Sequence, residues 1–241
     1  MDTEREPTQI ENSSFSTILV ALIVFLVTCV IFLLFQRRRS SRRGVLLTGL
    51  CDSGKTLLFS QLVHGKYVNT QTSMKENLGD FVTKNGVLRI IDIPGYERLR
   101  GKFVDQYKSS ARCVLYVVDS LTIQKDIRDV AEFLYNILSD PSIANNISAL
   151  LIVCNKQDIP LAKSTAVIKS LLEKELNALR VTKSSQLESV DQKGSNIAIL
   201  GKEGKEFTFS SLSMKTDFVE ANALGDGAGT VEIQKWLTNL C

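Results

Sequence analysis

Hydrophobic and polar positions divide the chain into one continuous apolar stretch and a longer region of mixed periodicity. Residues 15–35 are 21 consecutive positions without a charged side chain. A helix of that length would be roughly 31 Å long and would match a bilayer hydrocarbon core of about 30 Å. An acidic leader precedes the stretch and arginines follow it, whereas a cleaved signal peptide has a basic leader and a shorter apolar core. The pattern therefore predicts one transmembrane helix over 15–35.

Beyond this stretch, short apolar runs alternate with segments of helical period, which predicts an α/β fold. A polar segment at 181–206, rich in Ser, Lys, Gln and Gly, predicts an exposed loop inserted before the last strand. The predicted strands are 45–47, 87–91, 113–119, 150–154 and 218–221, and the predicted helices include 57–63, 123–138, 167–179 and 231–240.

The charge distribution changes the picture at the N-terminal end of the chain. The whole chain of 241 residues has a net charge of +3, but residues 36–43 alone contain five arginines. Because basic flanks stay cytosolic, residues 1–14 are predicted to be lumenal and 44–241 to form a cytosolic domain. That domain is nearly neutral, so direct nucleic-acid binding is not expected. Asn12 begins a glycosylation sequon in the lumenal segment, and the sequence leaves its use open.

The first chemical motif is GLCDSGKT at 49–56, which lies between an apolar run and a helical pattern. It matches the phosphate-binding loop G-x-x-x-x-G-K-[ST], in which glycines let successive N–H groups face phosphate oxygens. We expect the lysine to reach the β- and γ-phosphates and the threonine hydroxyl to bind Mg²⁺. The predicted phosphate-binding residues are Gly49, Asp52, Ser53, Gly54, Lys55, Thr56, Leu57 and, from the next motif, Gly95.

Two further motifs follow strand-like runs. In DIPG at 92–95, Asp92 is expected to hold Mg²⁺ through water, and the Gly95 N–H to meet a γ-phosphate. In NKQD at 155–158, the Asp158 carboxylate would accept both the N1–H and the exocyclic amine of guanine. Adenine lacks this pattern, so the motif predicts GTP rather than ATP. Lys156 is expected to lie along the base and ribose, and Asn155 to tie the loops together.

Together these motifs resemble those of Ras-type small GTPases. With the N-terminal span, the combination resembles the beta-subunit family of the signal recognition particle receptor, which is similar to the Arf/Sar branch. The stretches that carry the resemblance are GLCDSGKT at 49–56, TQTS at 70–73, DIPGYERLR at 92–100, VVDS at 117–120, NKQD at 155–158 and LGKEGKEFTFSSL at 200–212.

The resemblance implies a Ras-like P-loop GTPase domain with a six-stranded, mainly parallel sheet flanked by helices, with an antiparallel strand at 78–83. It places a first switch at 67–75, where Thr72 is the candidate Mg²⁺ ligand and Thr70 and Ser73 remain alternatives. A second switch would include Asp92, Gly95 and Tyr96. The backbone N–H of Ala223 is expected to meet the guanine carbonyl.

The implied function is a GTP–Mg²⁺ switch that holds the receptor's alpha subunit at the endoplasmic reticulum membrane for co-translational targeting. Ribosome or translocon contacts stay open. Efficient Ras-type hydrolysis uses a Gln where this chain has Tyr96, so we expect slow or partner-dependent hydrolysis and assign no catalytic residue. The alternatives are an Arf/Sar-type regulatory GTPase of vesicle traffic and a constitutively GTP-loaded structural anchor.

Overall fold

The computed structural model describes residues 19–32, 42–189, 200–201, 205–224 and 228–240. These belong to two compact units, which divide after Arg42. In the first unit, the described part of helix α1 covers residues 19–32, and every side chain in it is exposed. Within the described residues, no helix combines the length and the apolarity that a membrane crossing requires. The remainder of the predicted span (15–18 and 33–35) and the flanking segments 1–14 and 36–41 lie outside the described residues.

The second unit is built on a six-stranded sheet in the order β2-β3-β1-β4-β5-β6. All neighbouring strands are parallel except β2 and β3, which are antiparallel. The prediction of a mainly parallel sheet with one antiparallel strand near 78–83 is confirmed. The strands are β1 (Gly44–Thr48), β2 (Asn77–Thr83), β3 (Gly86–Asp92), β4 (Ala111–Asp119), β5 (Ala149–Asn155) and β6 (Lys215–Glu220).

The central strands are apolar because helices cover both faces of the sheet. Every residue of β1 and β5 is buried, as expected for parallel strands inside an α/β fold. Successive side chains of β1 alternate between two cores, so that Val45 and Leu47 belong to one cluster and Leu46 to the other. The helices of this unit are α2 (Lys55–His64), α3 (Glu97–Tyr107), α4 (Ile123–Leu138), α5 (Pro141–Asn146), α6 (Thr165–Ser189) and α7 (Val231–Leu240).

Helix α4 has the bounds that its periodicity predicts, 123–138. Its apolar stripe packs into the same cluster as Leu172 and Leu176 of α6 and Leu46 of β1. On the other face of the sheet, Leu58 of α2 and Ile233 of α7 share a cluster with Val45. Because β1, β3, β4, β5 and β6 run parallel, their carboxyl ends lie at the same edge of the sheet.

The predicted loop at 181–206 is wrong over its first nine residues, since α6 continues to Ser189. Polar composition favours a loop, but residues 181–189 contain no Gly or Pro, the residues that most disfavour a helix. The Thr182 hydroxyl donates to the Ala178 carbonyl at 3.0 Å, and Lys183 lies 3.7 Å from Glu132 of α4. Residues 190–199 and 202–204 of the predicted loop lie outside the described part of the chain.

The last strand begins earlier than its apolar residues predict. β6 runs from Lys215 to Glu220, and Lys215, Thr216 and Asp217 pair with β5 in the same ladder as the apolar residues that follow. β6 is an edge strand, and its pairing with β5 is made by backbone groups, so polar side chains do not prevent it.

Candidate functional site

The three sequence motifs meet at the carboxyl edge of the sheet. Residues 49–54 follow β1, residues 93–96 follow β3, and the turn at 156–158 follows β5. Parallel α/β sheets bind ligands at this edge. A cavity of about 510 Å³ opens there. Its lining residues are Cys51, Asp52, Gly54, Lys55, Thr56, Thr70, Gln71, Thr72, Ser73, Ile93, Pro94, Gly95 and Lys156.

The loop at 49–54 takes a backbone path that glycine makes accessible. Gly54 has φ 88° and caps the N-terminus of α2, and Asp52 has a φ of 58°. The Ser53 hydroxyl donates to the Leu50 carbonyl at 2.9 Å and closes the loop on itself. The first N–H groups of α2 have no partner within the helix and carry its partial positive charge. The loop therefore has the form of an anion-binding cradle.

The Lys55 ammonium supplies positive charge inside this cradle. Its Nζ donates to the Leu50 carbonyl at 2.6 Å and lies 3.5 Å from the Ser53 hydroxyl. The side chain is almost fully buried, and this burial lowers the pKa of Lys55, although nearby Asp92 opposes the shift. Anionic oxygens in the cavity would stabilise the protonated ammonium, so the site favours a polyphosphate over a neutral ligand.

Asp92 and Thr56 form a pair of oxygen ligands at the end of β3. Asp92 Oδ2 accepts hydrogen bonds from the Thr56 hydroxyl and the Asn77 amide, both at 2.9 Å. Burial raises the pKa of Asp92, and these two hydrogen bonds oppose the shift. Its buried Oδ1 has no hydrogen-bond partner among the described residues. Mg²⁺ prefers such hard oxygen ligands, and the unpartnered Oδ1 could accept a hydrogen bond from a metal-bound water.

The segment predicted to be the first switch places a hydroxyl next to Thr56. Ser73 Oγ lies 3.1 Å from Thr56 Oγ1, whereas the exposed side chains of Thr70 and Thr72 line the cavity. Of the three candidates left open by the sequence, Ser73 is thus the one whose contact with Thr56 the structure records. The assignment of Thr72 as a Mg²⁺ ligand stays a prediction.

The turn after β3 passes close to the phosphate-binding loop. A Cβ on Gly95 would lie 2.6 Å from the Cys51 nitrogen and 2.8 Å from Lys55 Nζ, so only glycine fits. The next residue, Tyr96, has a partly exposed side chain, and its carbonyl accepts the N–H groups of Leu99 and Arg100 at 2.9 Å. Tyr96 is therefore the N-cap residue of helix α3.

Asn155 joins the end of β5 to the loop at 49–54 and to Ala223. Its Nδ2 donates to the Ser53 carbonyl at 2.8 Å, and its Oδ1 accepts the Ala223 N–H at 3.2 Å. Both bonds are buried. The predicted role of Asn155 in tying the loops together is thus realised in hydrogen bonds. The Ala223 N–H, which we expect to meet guanine, is directed at Asn155 in this structure.

Lys156 and Asp158 complete the turn. Lys156 has φ 67° and places its Nζ 2.7 Å from Asp119 Oδ2, while the Asp158 side chain is exposed. Sequence reasoning missed Asp119 and Asn77 as parts of the site. The signal for Asp119 was its place at the end of the predicted strand 113–119, in the VVDS stretch.

Sequence comparisons agree with this arrangement. The family model described as "Signal recognition particle receptor beta subunit" matches residues 40–216. The signal recognition particle receptor subunit beta of Rattus norvegicus is 45% identical over 248 residues, covering 100% of this chain and 92% of the relative. The Homo sapiens subunit is also 45% identical, over 249 residues, with the same coverage.

Solved structures give the same result. The chain aligns with "The Structure of the Mammalian SRP Receptor" at 47% identity and a TM-score of 0.72, covering 83% of this chain and 100% of the other. A receptor SRb-GDP-Mg structure from Chaetomium thermophilum shares the fold at 24% identity and a TM-score of 0.65, covering 83% and 98%. This chain therefore belongs to the family of signal recognition particle receptor beta subunits.

Proposed function

We propose that the chain binds GTP with Mg²⁺ and acts as the membrane anchor of a signal recognition particle receptor. The observation that carries the nucleotide part is the convergence of three separate turns on one cavity. Lys55, Gly95 and Lys156 come from different motifs and line the same space. In addition, two structures of SRb from Chaetomium thermophilum that share this fold are of its complexes with GDP and Mg and with GTP.

Guanine selection is assigned to Asp158, whose exposed carboxylate lies two residues beyond Lys156 in the turn after β5. The test is calorimetry with GTP and ATP on the full chain, together with Asp158→Asn. We expect the wild type to bind GTP tightly and ATP weakly or not at all. The variant should lose GTP affinity and gain affinity for xanthosine triphosphate, because an amide can donate to the xanthine carbonyl. Equal affinity of the wild type for ATP would contradict the proposal.

Mg²⁺ is assigned to the Thr56 hydroxyl and, through water, to Asp92, with Thr72 or Ser73 closing on the ion. The buried Oδ1 of Asp92 supports this assignment because an unpartnered carboxylate oxygen is costly without a compensating ligand. When bound, the ion neutralises charge on the β- and γ-phosphates. Thr56→Ala should therefore speed the release of nucleotide in the presence of Mg²⁺ but have little effect in EDTA.

We propose that intrinsic hydrolysis is slow. Tyr96 occupies the position of the water-orienting Gln, and a phenol lacks the paired donor and acceptor of an amide. Arg100 lies 4.4 Å above the Phe133 ring, where it serves as a packing partner. Single-turnover hydrolysis of GTP should rise in Tyr96→Gln relative to the wild type. Rapid turnover by the wild-type chain alone would refute the assignment.

The membrane anchor is assigned to residues 15–35. Support comes from the 21 uncharged positions and from the exposed apolar side chains of the described part of α1, such as Phe25 and Phe32 at 68% and 63% exposure. Residues 36–43 would keep the GTPase domain on the cytosolic side, with 1–14 in the lumen of the endoplasmic reticulum. Carbonate extraction of microsomes checks the membrane anchor, and release of the chain into the supernatant would overturn it; digestion of residues 44–241 by protease added to intact microsomes checks the orientation, and their protection would overturn it.

The partner is proposed to be the receptor's alpha subunit, recognised by the segments 70–73 and 92–100 when GTP and Mg²⁺ order them. The exposed side chains of Met74, which follows the first segment, and of Tyr96, within the second, are available for burial by a partner. Copurification in GTP and in GDP tests the switch. If the alpha subunit binds equally in both, and nucleotide release does not respond to it, the chain is a constitutively loaded structural anchor instead.

A further inference from the structure

The ion pair between Lys156 and Asp119 is formed from a turn in which Lys156 has an unusual backbone conformation. Lys156 is one of two described residues other than glycine with a positive φ, 67°. A left-handed backbone is costly for a lysine and persists only where its surroundings fix it. Here the Gln157 N–H donates to the Ala221 carbonyl at 3.1 Å, and the Ile159 N–H donates to the Lys156 carbonyl at 3.2 Å. The turn thus aims the Lys156 side chain in a fixed direction.

Asp119 is itself held in one orientation. One carboxylate oxygen accepts the Leu121 N–H at 2.9 Å, and the other lies 2.7 Å from Lys156 Nζ. In the sheet, Asp119 is paired with Asn155, so the carboxylate lies beside the start of the turn. Its side chain is only 12% exposed, against 29% for Lys156. Asp119 is therefore a rigid acceptor for a side chain that would otherwise be mobile.

Lys156 also lines the cavity that contains the phosphate-binding loop. A free lysine loses rotamer freedom when a ligand packs against its aliphatic part, and this loss weakens binding. An ammonium already held by Asp119 has lost that freedom before the ligand arrives. We propose that Asp119 is a positioning residue that fixes Lys156 against the bound nucleotide and lengthens nucleotide residence. This inference rests on the proposed binding of guanine nucleotide.

The test is the release rate of mant-GDP from the full chain in detergent. Asp119→Asn keeps an oxygen for the Leu121 N–H but removes the charge that holds Lys156. We expect release to become roughly three- to tenfold faster, as for the ordering of one flexible side chain. Asp80→Asn is the matched control, because it breaks the exposed Asp80–Arg89 pair at 3.0 Å on β2 and β3. Its release rate should equal that of the wild type.

A double-mutant cycle separates positioning from a structural role. Lys156→Met keeps the aliphatic arm without the ammonium, so it should also speed release, and adding Asp119→Asn to it should change nothing further. An equal additional acceleration in the Met background would show that Asp119 acts through its own strand, and would overturn the inference. If Asp119→Asn did not fold, an unchanged release rate in Lys156→Met would overturn it as well. Failure of the wild type to bind mant-GDP would instead refute the proposed nucleotide function.

Discussion

Replacing Asn155 with alanine tests how much its two hydrogen bonds, between the end of β5 and the loop at 49–54 and with Ala223, stabilise the domain. The amide makes two buried hydrogen bonds, at 2.8 Å to the Ser53 carbonyl and at 3.2 Å from the Ala223 N–H. Asn155→Ala removes the amide from both bonds, so that the Ser53 carbonyl and the Ala223 N–H stay buried without it. Because a buried group that loses its partner costs about 1–3 kcal/mol, we expect a loss of about 2–4 kcal/mol in the free energy of unfolding.

The assay is urea unfolding of the full chain after nucleotide removal, so that loss of ligand affinity does not contribute to the measured difference. For a domain of this size, the expected loss corresponds to a fall in Tm of roughly 5–15 °C. Asn85→Ala is the control, since its amide makes one exposed bond of 3.4 Å to the Thr238 carbonyl and should cost almost nothing. If Asn155→Ala lowers the free energy of unfolding by less than about 1 kcal/mol, and its dependence on urea concentration is unchanged, the reasoning is refuted.

Three further predictions concern single groups. Burial raises the pKa of Asp92, so its carboxyl takes up a proton at a higher pH than an exposed aspartate does, and the neutral acid would hold the water of the proposed Mg²⁺ less well; nucleotide release measured at fixed Mg²⁺ should therefore accelerate as the pH falls through that raised pKa and stay constant at higher pH. Gly95→Ala would push a Cβ to within 2.6 Å of the Cys51 nitrogen, so calorimetry should record a more than about tenfold loss of GTP affinity. Tyr116→Phe removes a buried hydroxyl that donates to the Val130 carbonyl at 2.7 Å, and chemical denaturation should show a loss of about 1–2 kcal/mol.

The parts of the fold that could be predicted from sequence are those in which one local pattern reports burial. The apolar run of β5 and the stripe of α4 each lie within a single element, so their periodicity is visible without knowledge of the rest of the chain. The residues at 49–56 and 155–158 were recognisable because phosphate and guanine chemistry restricts the residue types at fixed spacing.

The remaining features depend on contacts between distant positions. Asp119 meets Lys156 across 37 positions, and Asn77 meets Asp92 across 15, so neither pair leaves a signal in local spacing. The continuation of α6 past residue 180 differs from these pairs, because polar composition favours a loop there although no Gly or Pro interrupts the helix. The contact of Ser73 with Thr56 likewise joins two hydroxyls that are 17 positions apart in the chain. Such pairings become visible only when the strand order is known.

The stacking of Arg100 on Phe133 links helix α3, which follows the turn at 93–96, to helix α4. The guanidinium belongs to α3 and the ring to α4, and the ring is 5% exposed beneath it. Any displacement of α3 that withdrew Arg100 would uncover this aromatic face to water. A movement of the turn at 93–96 that shifted α3 in this way would therefore expose a core side chain of α4 as well.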